Sequence, residues 1–388
     1  MIKYALTLLL ATAALAQDPL RNVSGTTPNP GAAAPWIQSK HGLWTVFLGY
    51  DAHITSVTES GPDEQRAEFF STNWVAGGVH RAFGDRGFLL LRWRGSLEPF
   101  TITDDEGYPQ MLQYVSAESG GVLIDRMRPH DLIGEAAVHV GWRPTQSTLV
   151  HVYGAAVGDP ALGAAPYALR ASGADFAEAP FAYDIQENWH DSTKVVTAGF
   201  ATRFLSLEGS VFHDAVTFGD HTEIDNGDID SNSVRLTFTP TQNIAIQVSR
   251  GELGEDDAQR KITSASASYG TEHAAVTALW TRREHDFGGE ETAYGFELAL
   301  RGTRNTFMGR AEWVDRYRGF PAPPAAGPFL TEQTTHFAVG YIFDVISGTR
   351  HRAGVGVNID YHTQSHELPD EYGHKPQSVY LFARFRSR

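Results

Sequence analysis

The stretch Ser233-Val234-Arg235-Leu236-Thr237-Phe238-Thr239-Pro240, followed by Thr241-Gln242-Asn243, decides the fold. Val234, Leu236, Phe238 and Pro240 share one parity; Ser233, Arg235, Thr237 and Thr239 share the other. A period of two is a strand with one apolar and one wet face, and the polar triplet that ends it reads as a tight turn. The same rhythm runs outward in both directions, from near residue 43 to the end of the chain. Tight links at 84–86, 144–146, 203–204, 241–243, 270–272, 302–304 and 347–349 alternate with longer polar links near 58–65, 99–133, 158–192, 217–231, 252–260, 284–291, 317–331 and 362–376. Seven short and eight long connections join 16 strands, and the alternation allows about 14 to 18. A soluble sandwich has no reason to sort its connections by length, whereas a transmembrane barrel gathers short turns at one rim and long loops at the other. The expectation is an all-β chain: a transmembrane antiparallel up-and-down β-barrel over 43–388, with both termini on the short-turn side.

Other segments keep the parity. Leu205, Leu207, Gly209 and Val211 oppose Ser206, Glu208 and Ser210; Ala353, Val355, Val357, Ile359 and Tyr361 oppose Arg352, Gly354, Gly356, Asn358 and Asp360; Phe337, Val339, Tyr341 and Phe343 oppose His336, Ala338 and Gly340. Aromatics fall at the ends of the apolar faces, with Trp142, Phe238, Tyr269 and Phe343 beside short turns and Trp280, Trp313 and Tyr361 beside long loops. That is the pattern of two interfacial girdles. Lys3, the apolar run Ala5–Ala13 and Ala14-Leu15-Ala16 make residues 1–16 a secretory signal cleaved before Gln17. Residues 17–42, rich in Pro, Ala and Asn without periodicity, read as a flexible periplasmic lead-in. The localisation expected is the outer membrane of a Gram-negative cell, with outer-membrane lipid and lipopolysaccharide as partners. The last strand, Ser378–Arg388, resembles the aromatic carboxy-terminal signal read by the barrel-assembly machinery through Tyr380, Phe382 and Phe385, although the chain ends Arg386-Ser387-Arg388.

The chain has no cysteine, which excludes a disulfide-stapled scaffold, and its formal net charge of −15 argues against nucleic acid as a partner. No G-x-S-x-G or H-E-x-x-H motif occurs, so no enzymatic activity is expected.

The polar parity carries Arg92, Arg94, Glu208, Arg235, Glu297, Arg301, Arg310, Glu312 and Asp360. Dry burial of unpaired charges costs several kcal/mol each, so a wet lumen is the expectation, and a barrel near 16 strands is wide enough for one. Pore-lining candidates are Arg92, Arg94, Arg235, Arg310, Glu208, Glu297 and Glu312. The second and third long loops, 99–133 and 158–192, are long enough to narrow the bore. The third holds the apolar run Ala161–Leu169 and Phe181-Ala182-Tyr183, which a solvated loop would not use, so it should pack partly inside. Its acids Asp175, Glu178, Asp184 and Glu187 are then expected to face the wall arginines across a constriction. This arrangement resembles general porins in strand number, loop order and charge type. The resemblance implies a passive channel for small hydrophilic solutes, without cofactor, and a homo-trimer.

His-Asp pairs occur in Asp125–Asp131 and Asn188–Thr193. Adjacent strand residues point to opposite faces, so neither pair chelates from an extended segment, although His130 and His190 would meet if their strands converged. Together with Gly158–Gly163, these stretches resemble segments of a group of uncharacterised bacterial outer-membrane barrels that often accompany metal-efflux systems. The alternative function is therefore a plugged barrel with a binding or structural role, linked to metal-ion handling. Acids crowd the fourth long loop, where Asp225, Asp228 and Asp230 are candidate metal ligands for Ca²⁺. The full EF-hand spacing is missing, and a solvated loop that bridges lipopolysaccharide through divalent ions is the competing reading.

Overall fold

Alternation of this kind leaves each segment with one face that must avoid water and one that must meet polar groups, and a closed antiparallel sheet satisfies both while leaving no unpaired edge. The computed structural model describes residues 37–60, 65–102, 130–187, 192–215, 221–254, 259–286, 288–318, 330–364 and 377–387. Its strands are β1 Ile37–His41, β2 Trp44–Ser60, β3 Gln65–Phe83, β4 Gly87–Gly95, β5 Ile133–Trp142, β6 Thr148–Val157, β7 Ser192–Thr202 and β8 Leu205–Asp214. They continue with β9 Ser231–Thr241, β10 Ile244–Leu253, β11 Arg260–Gly270, β12 Ala274–His285, β13 Glu290–Arg301, β14 Asn305–Arg318, β15 Leu330–Ser347, β16 His351–Gln364 and β17 Gln377–Ser387. Each strand pairs antiparallel with the next, and β17 closes on β2 from Gln377↔Ser60 to Arg386↔Asp51.

The wall has 16 positions built from 17 strand segments. The extra segment is β1, in residues that the sequence pattern leaves in the lead-in. It pairs with β2 from Ile37↔Leu48 to His41↔Trp44, the part of β2 that β17 does not reach. A composite strand thereby fills the seam, and the exposed edge of β2 explains why a segment without clear alternation is drafted into the sheet. The seven tight links of the sequence all join consecutive strands. At one of them Gly84 adopts φ +58°, which glycine tolerates without strain.

The outward parity is mostly apolar, with polar side chains such as Asn232 and Arg250 near the long-loop ends of their strands. Leu207, Val234, Leu236, Val339, Val355, Ile359 and Leu381 are exposed, and so are Trp142, Phe238, Tyr269 and Phe343 beside the short turns. The inward parity mixes charged and hydroxyl side chains with apolar patches, and β8 reads exposed-buried-exposed along its length, with Ser206, Glu208 and Ser210 buried. Bulges re-aim this pattern locally. In β7 the register shifts between Thr193 and Val196, where Lys194 sits at φ +50°. Its Nζ donates to the Asn226 and Gly227 carbonyls at 2.8 and 2.7 Å, holding the strained residue against the fourth loop.

A cation on the lipid face therefore meets hydrocarbon. Val339→Arg, at the middle of β15, should destabilise the barrel by about 2–4 kcal/mol in a denaturant titration from vesicles, and an unchanged midpoint would show that this face is not in lipid.

Candidate functional site

A loop that enters a barrel must satisfy its own backbone groups there. The third long connection does so over residues 158–187. Pro166 starts a tight turn over Tyr167–Leu169, and Ala182 leads a helical turn over Tyr183–Gln186. Within the loop, Arg170 N donates to Pro166 O (2.9 Å), Ala174 N to Arg170 O (2.9 Å) and Gln186 N to Ala182 O (3.0 Å). Amides that point outward find wall side chains: Ala161 N donates to Ser210 Oγ (2.7 Å), Gly163 N to Ser249 Oγ (2.9 Å), and Phe181 N and Ala182 N to the two oxygens of Glu312 (2.8 and 3.0 Å). The anchors lie on β8, β10 and β14. Opposite them, Thr72 on β3 donates to the Ala177 carbonyl (3.2 Å), so the loop crosses the bore from wall to wall.

Charge ties it more firmly. Arg170 forms two bonds to Glu297, Nε–Oε2 at 3.0 Å and Nη2–Oε1 at 2.8 Å, and one to Glu187 at 2.5 Å. Burial opposes the charge of Arg170, but Glu297 and Glu187 raise its pKa above the usual guanidinium value. Ser172 donates to the same Glu297 at 2.9 Å, and Gly173 lets that carboxylate approach, since a Cβ there would stand 3.0 Å from both oxygens. Asp175 receives Arg301 Nε (2.8 Å), Arg386 Nη1 (2.7 Å) and Arg384. Arg384 is held in turn by Asp344 at 2.8 Å. Burial alone would push the Asp175 carboxyl up; the three arginines outweigh it and hold the group well below the usual carboxylate range. Arg301 and Arg386 lie at the short-turn ends of their strands, so the loop reaches nearly the full depth of the barrel. Glu178 accepts from Asn358 Nδ2 at 2.7 Å and faces Arg310 at 3.6 Å. Burial and the neighbouring Asp360 raise its pKa well above the usual value despite Arg310. Between these polar ties, Tyr167, Phe176, Ala177, Ala179 and Tyr183 pack on Val57, Phe70, Met308, Ile342, Tyr380 and Phe382 of the wall.

The residues singled out in the sequence therefore lie inside, but in contact rather than across a gap. Arg92 bonds Glu135 (2.8 Å), Arg94 bonds Asp159 (2.9 Å) and Arg235 bonds Glu208 (3.1 Å). Arg310 sits between Glu297 (3.4 Å) and Glu178 (3.6 Å), with its guanidinium 4.1 Å above the Phe176 ring. Each arginine is compensated at once, so the expected open constriction between a basic wall and an acidic loop is not the arrangement adopted. Low-dielectric burial favours direct pairing over separated charge. Glu187 pairs with Arg170 of its own loop instead of the wall, and the side chain of Asp184 lies outside the described residues. The second loop begins with a helical turn, Glu98–Thr101, whose buried Glu98 accepts from Asn73 N (2.9 Å), His130 N (2.7 Å) and His130 Nδ1 (2.6 Å); residues 103–129 lie outside the described set.

Asp225, Asp228 and Asp230 do not converge as one ligand set. Asp230 accepts from His213 Nδ1 (2.7 Å) and Asp214 N (3.0 Å), Asp225 accepts from Gly227 N (3.1 Å), and Asp228 is exposed. Asp131 binds His221 (2.7 Å), while His190 and Asp191 lie outside the described residues. The sequence reading gave no site role to Arg170, Asp344, Arg384, Arg386, His336 or His362, although the inward parity of β15, β16 and β17 carries the signal for all of them except the loop residue Arg170.

No protein-family model and no curated protein matches the sequence. Solved structures do match in fold. An anion-selective porin from Comamonas acidovorans superposes with a TM-score of 0.53 at 11% identity, covering 89% of this chain and 100% of that one. OmpF of Salmonella typhi, solved with daunomycin, gives 0.53 at 10% identity over 90% and 100%. OmpT of Vibrio cholerae gives 0.50 at 10% identity over 90% and 100%. The fold is that of a porin-like barrel.

Asp175→Asn leaves Arg384 buried with half its compensation gone. Breaking a buried pair costs about 3–5 kcal/mol, so the variant should unfold at lower guanidinium. A carboxyl with a depressed pKa contributes stability above the ordinary carboxylate range and loses it only as pH falls through the lower folded value. The deficit should therefore be equal at pH 5 and pH 8. A midpoint equal to wild type would remove Asp175 as the anchor.

Proposed function

We propose that the chain is an outer-membrane barrel of porin type that passes small hydrophilic solutes through a bore its third loop holds shut at rest. The observation that carries this is the anchoring of residues 158–187 on opposite walls, with Asp175, Glu178 and Glu187 all buried. An outward face of exposed Val, Leu, Ile and aromatic side chains supports a place in lipid, and the export signal at 1–16 supports the outer membrane. The porin-like strand order supports transport, while the charged interior supports polar solutes over apolar ones. With Arg92, Arg94, Arg235 and Arg310 each paired, selectivity would be set by the residues a displaced loop uncovers, chiefly Arg301, Arg384 and Arg386. A second reading, a permanently plugged barrel with a binding or structural role, is favoured by the number of charged ties between loop and wall.

Planar-bilayer conductance separates the two. The purified wild type should be silent or open rarely, and a variant with 160–186 replaced by a short Gly/Ser link should give steady steps with anion preference. Steady large steps from the wild type would show that the loop does not close the bore. A silent loop-deleted barrel, folded by heat-modifiable gel migration, would leave the plugged-barrel reading standing.

A further inference from the structure

The register of three adjacent strands sets Glu312 of β14 opposite His336 of β15, and His336 opposite His362 of β16; Asp360 follows two residues before His362 on the same inward face. All four side chains point into the barrel beneath the loop segment Glu178–Ala182, and His336, Asp360 and His362 have no exposed surface. His336 Nδ1 is 2.8 Å from Glu312 Oε2, which fixes the ring and leaves Nε2 3.2 Å from Asp360 Oδ2, within ion-pair reach but outside hydrogen-bond geometry. Asp360 Oδ1 accepts from Asn358 Nδ2 at 2.8 Å, and among the described residues Oδ2 has no hydrogen-bond donor.

An imidazolium at His336, hydrogen-bonded to Glu312 and within ion-pair distance of Asp360, accounts for three of these groups. It does not account for His362. That ring stacks on His336 with centroids 4.5 Å apart and 23° between planes, and Phe181 meets it edge-on. Among the described residues both its nitrogens are buried without a hydrogen-bond partner, although an imidazole carries at least one donor and otherwise an acceptor. A second imidazolium stacked on a first would add repulsion without a counter-ion. Donor atoms from His336, Asp360 and His362 lie within 4.8 Å of one another, the one such triad among the described residues.

We propose that His336, Asp360 and His362 bind one divalent transition-metal ion inside the barrel. Two imidazole nitrogens and one carboxylate oxygen suit zinc and its neighbours in the first transition row, whereas calcium and magnesium take oxygen ligands. Ligands at about 2.0–2.1 Å in tetrahedral array stand roughly 3.3 Å apart, which matches the spacing of His336 Nε2 and Asp360 Oδ2. Glu312 supplies the carboxylate behind a ligating histidine, the partner that orients such rings. Because Glu312 also accepts the Phe181 and Ala182 amides, metal and loop share an anchor. The site stands whether or not the bore opens.

The test uses untagged full-length protein in detergent, stripped with a chelator and titrated with Co²⁺. One equivalent should bind with the visible absorption of a nitrogen- and oxygen-ligated cobalt ion, and Zn²⁺ should displace it. His362→Ala and Asp360→Asn should each abolish the stoichiometric band, and Glu312→Gln should weaken binding by about 10- to 100-fold. His362→Phe, which keeps the ring volume, replaces the alanine variant if that protein fails the heat-modifiable gel shift. No stoichiometric cobalt in the wild type, or a band unchanged in folded His362 and Asp360 variants, overturns the site.

Discussion

A charge taken from water must find its opposite within contact distance, and the inside of this barrel is organised by that requirement. Asp175 is the clearest case. It brings one negative charge to Arg301, Arg384 and Arg386, while Asp344 and Asp51 supply the rest from the wall. Without the loop, β13 and β17 would present a cluster of guanidinium groups with too few carboxylates; without those arginines, the loop acid would have no reason to leave water. The two halves justify each other. Buried pairs of this kind specify an arrangement more than they stabilise it, because desolvation offsets much of their attraction.

The fold was legible because closure demands only alternation and a count of connections. Identity near 10% to porins of the same architecture follows from the same point: the lipid face accepts any apolar residue at the right parity. Strand β1 escaped because Ile37–His41 has no alternation of its own and is recruited by the unpaired part of β2. Parity also told which side chains turn inward, and Arg92, Arg94, Glu208, Arg235, Glu297, Arg310 and Glu312 all do. It could not tell how they pair. Glu208 and Arg235 are directly opposed across β8 and β9, a relation set by register, whereas Glu297 and Arg170 lie 127 residues apart and meet only because the loop descends.

The histidine pair shows how fine that limit is. A turn centred on Gly348 would set His336 opposite Asp360. The observed hairpin, with its irregularity between Asp344 and Ile346, sets it opposite His362 instead. Both alternatives keep the residues facing inward, so the hydrophobic pattern is indifferent between them, yet only one stacks two imidazoles.

Register and loop finally meet in a single side chain. Glu312 Oε2 accepts both from His336 and from the Phe181 amide, and Oε1 takes the Ala182 amide. A carboxylate with those bonds filled has no freedom to follow one partner without releasing another. A displacement of the loop therefore strips the Glu312 carboxylate of the two amide bonds that fix it against His336, and any change in the charge on His336, Asp360 and His362 is felt by the loop through that carboxylate. In a barrel whose wall is held rigid by a closed hydrogen-bond ladder, the loop is the element free to respond, and the β14–β16 face is where it is coupled to the wall chemistry.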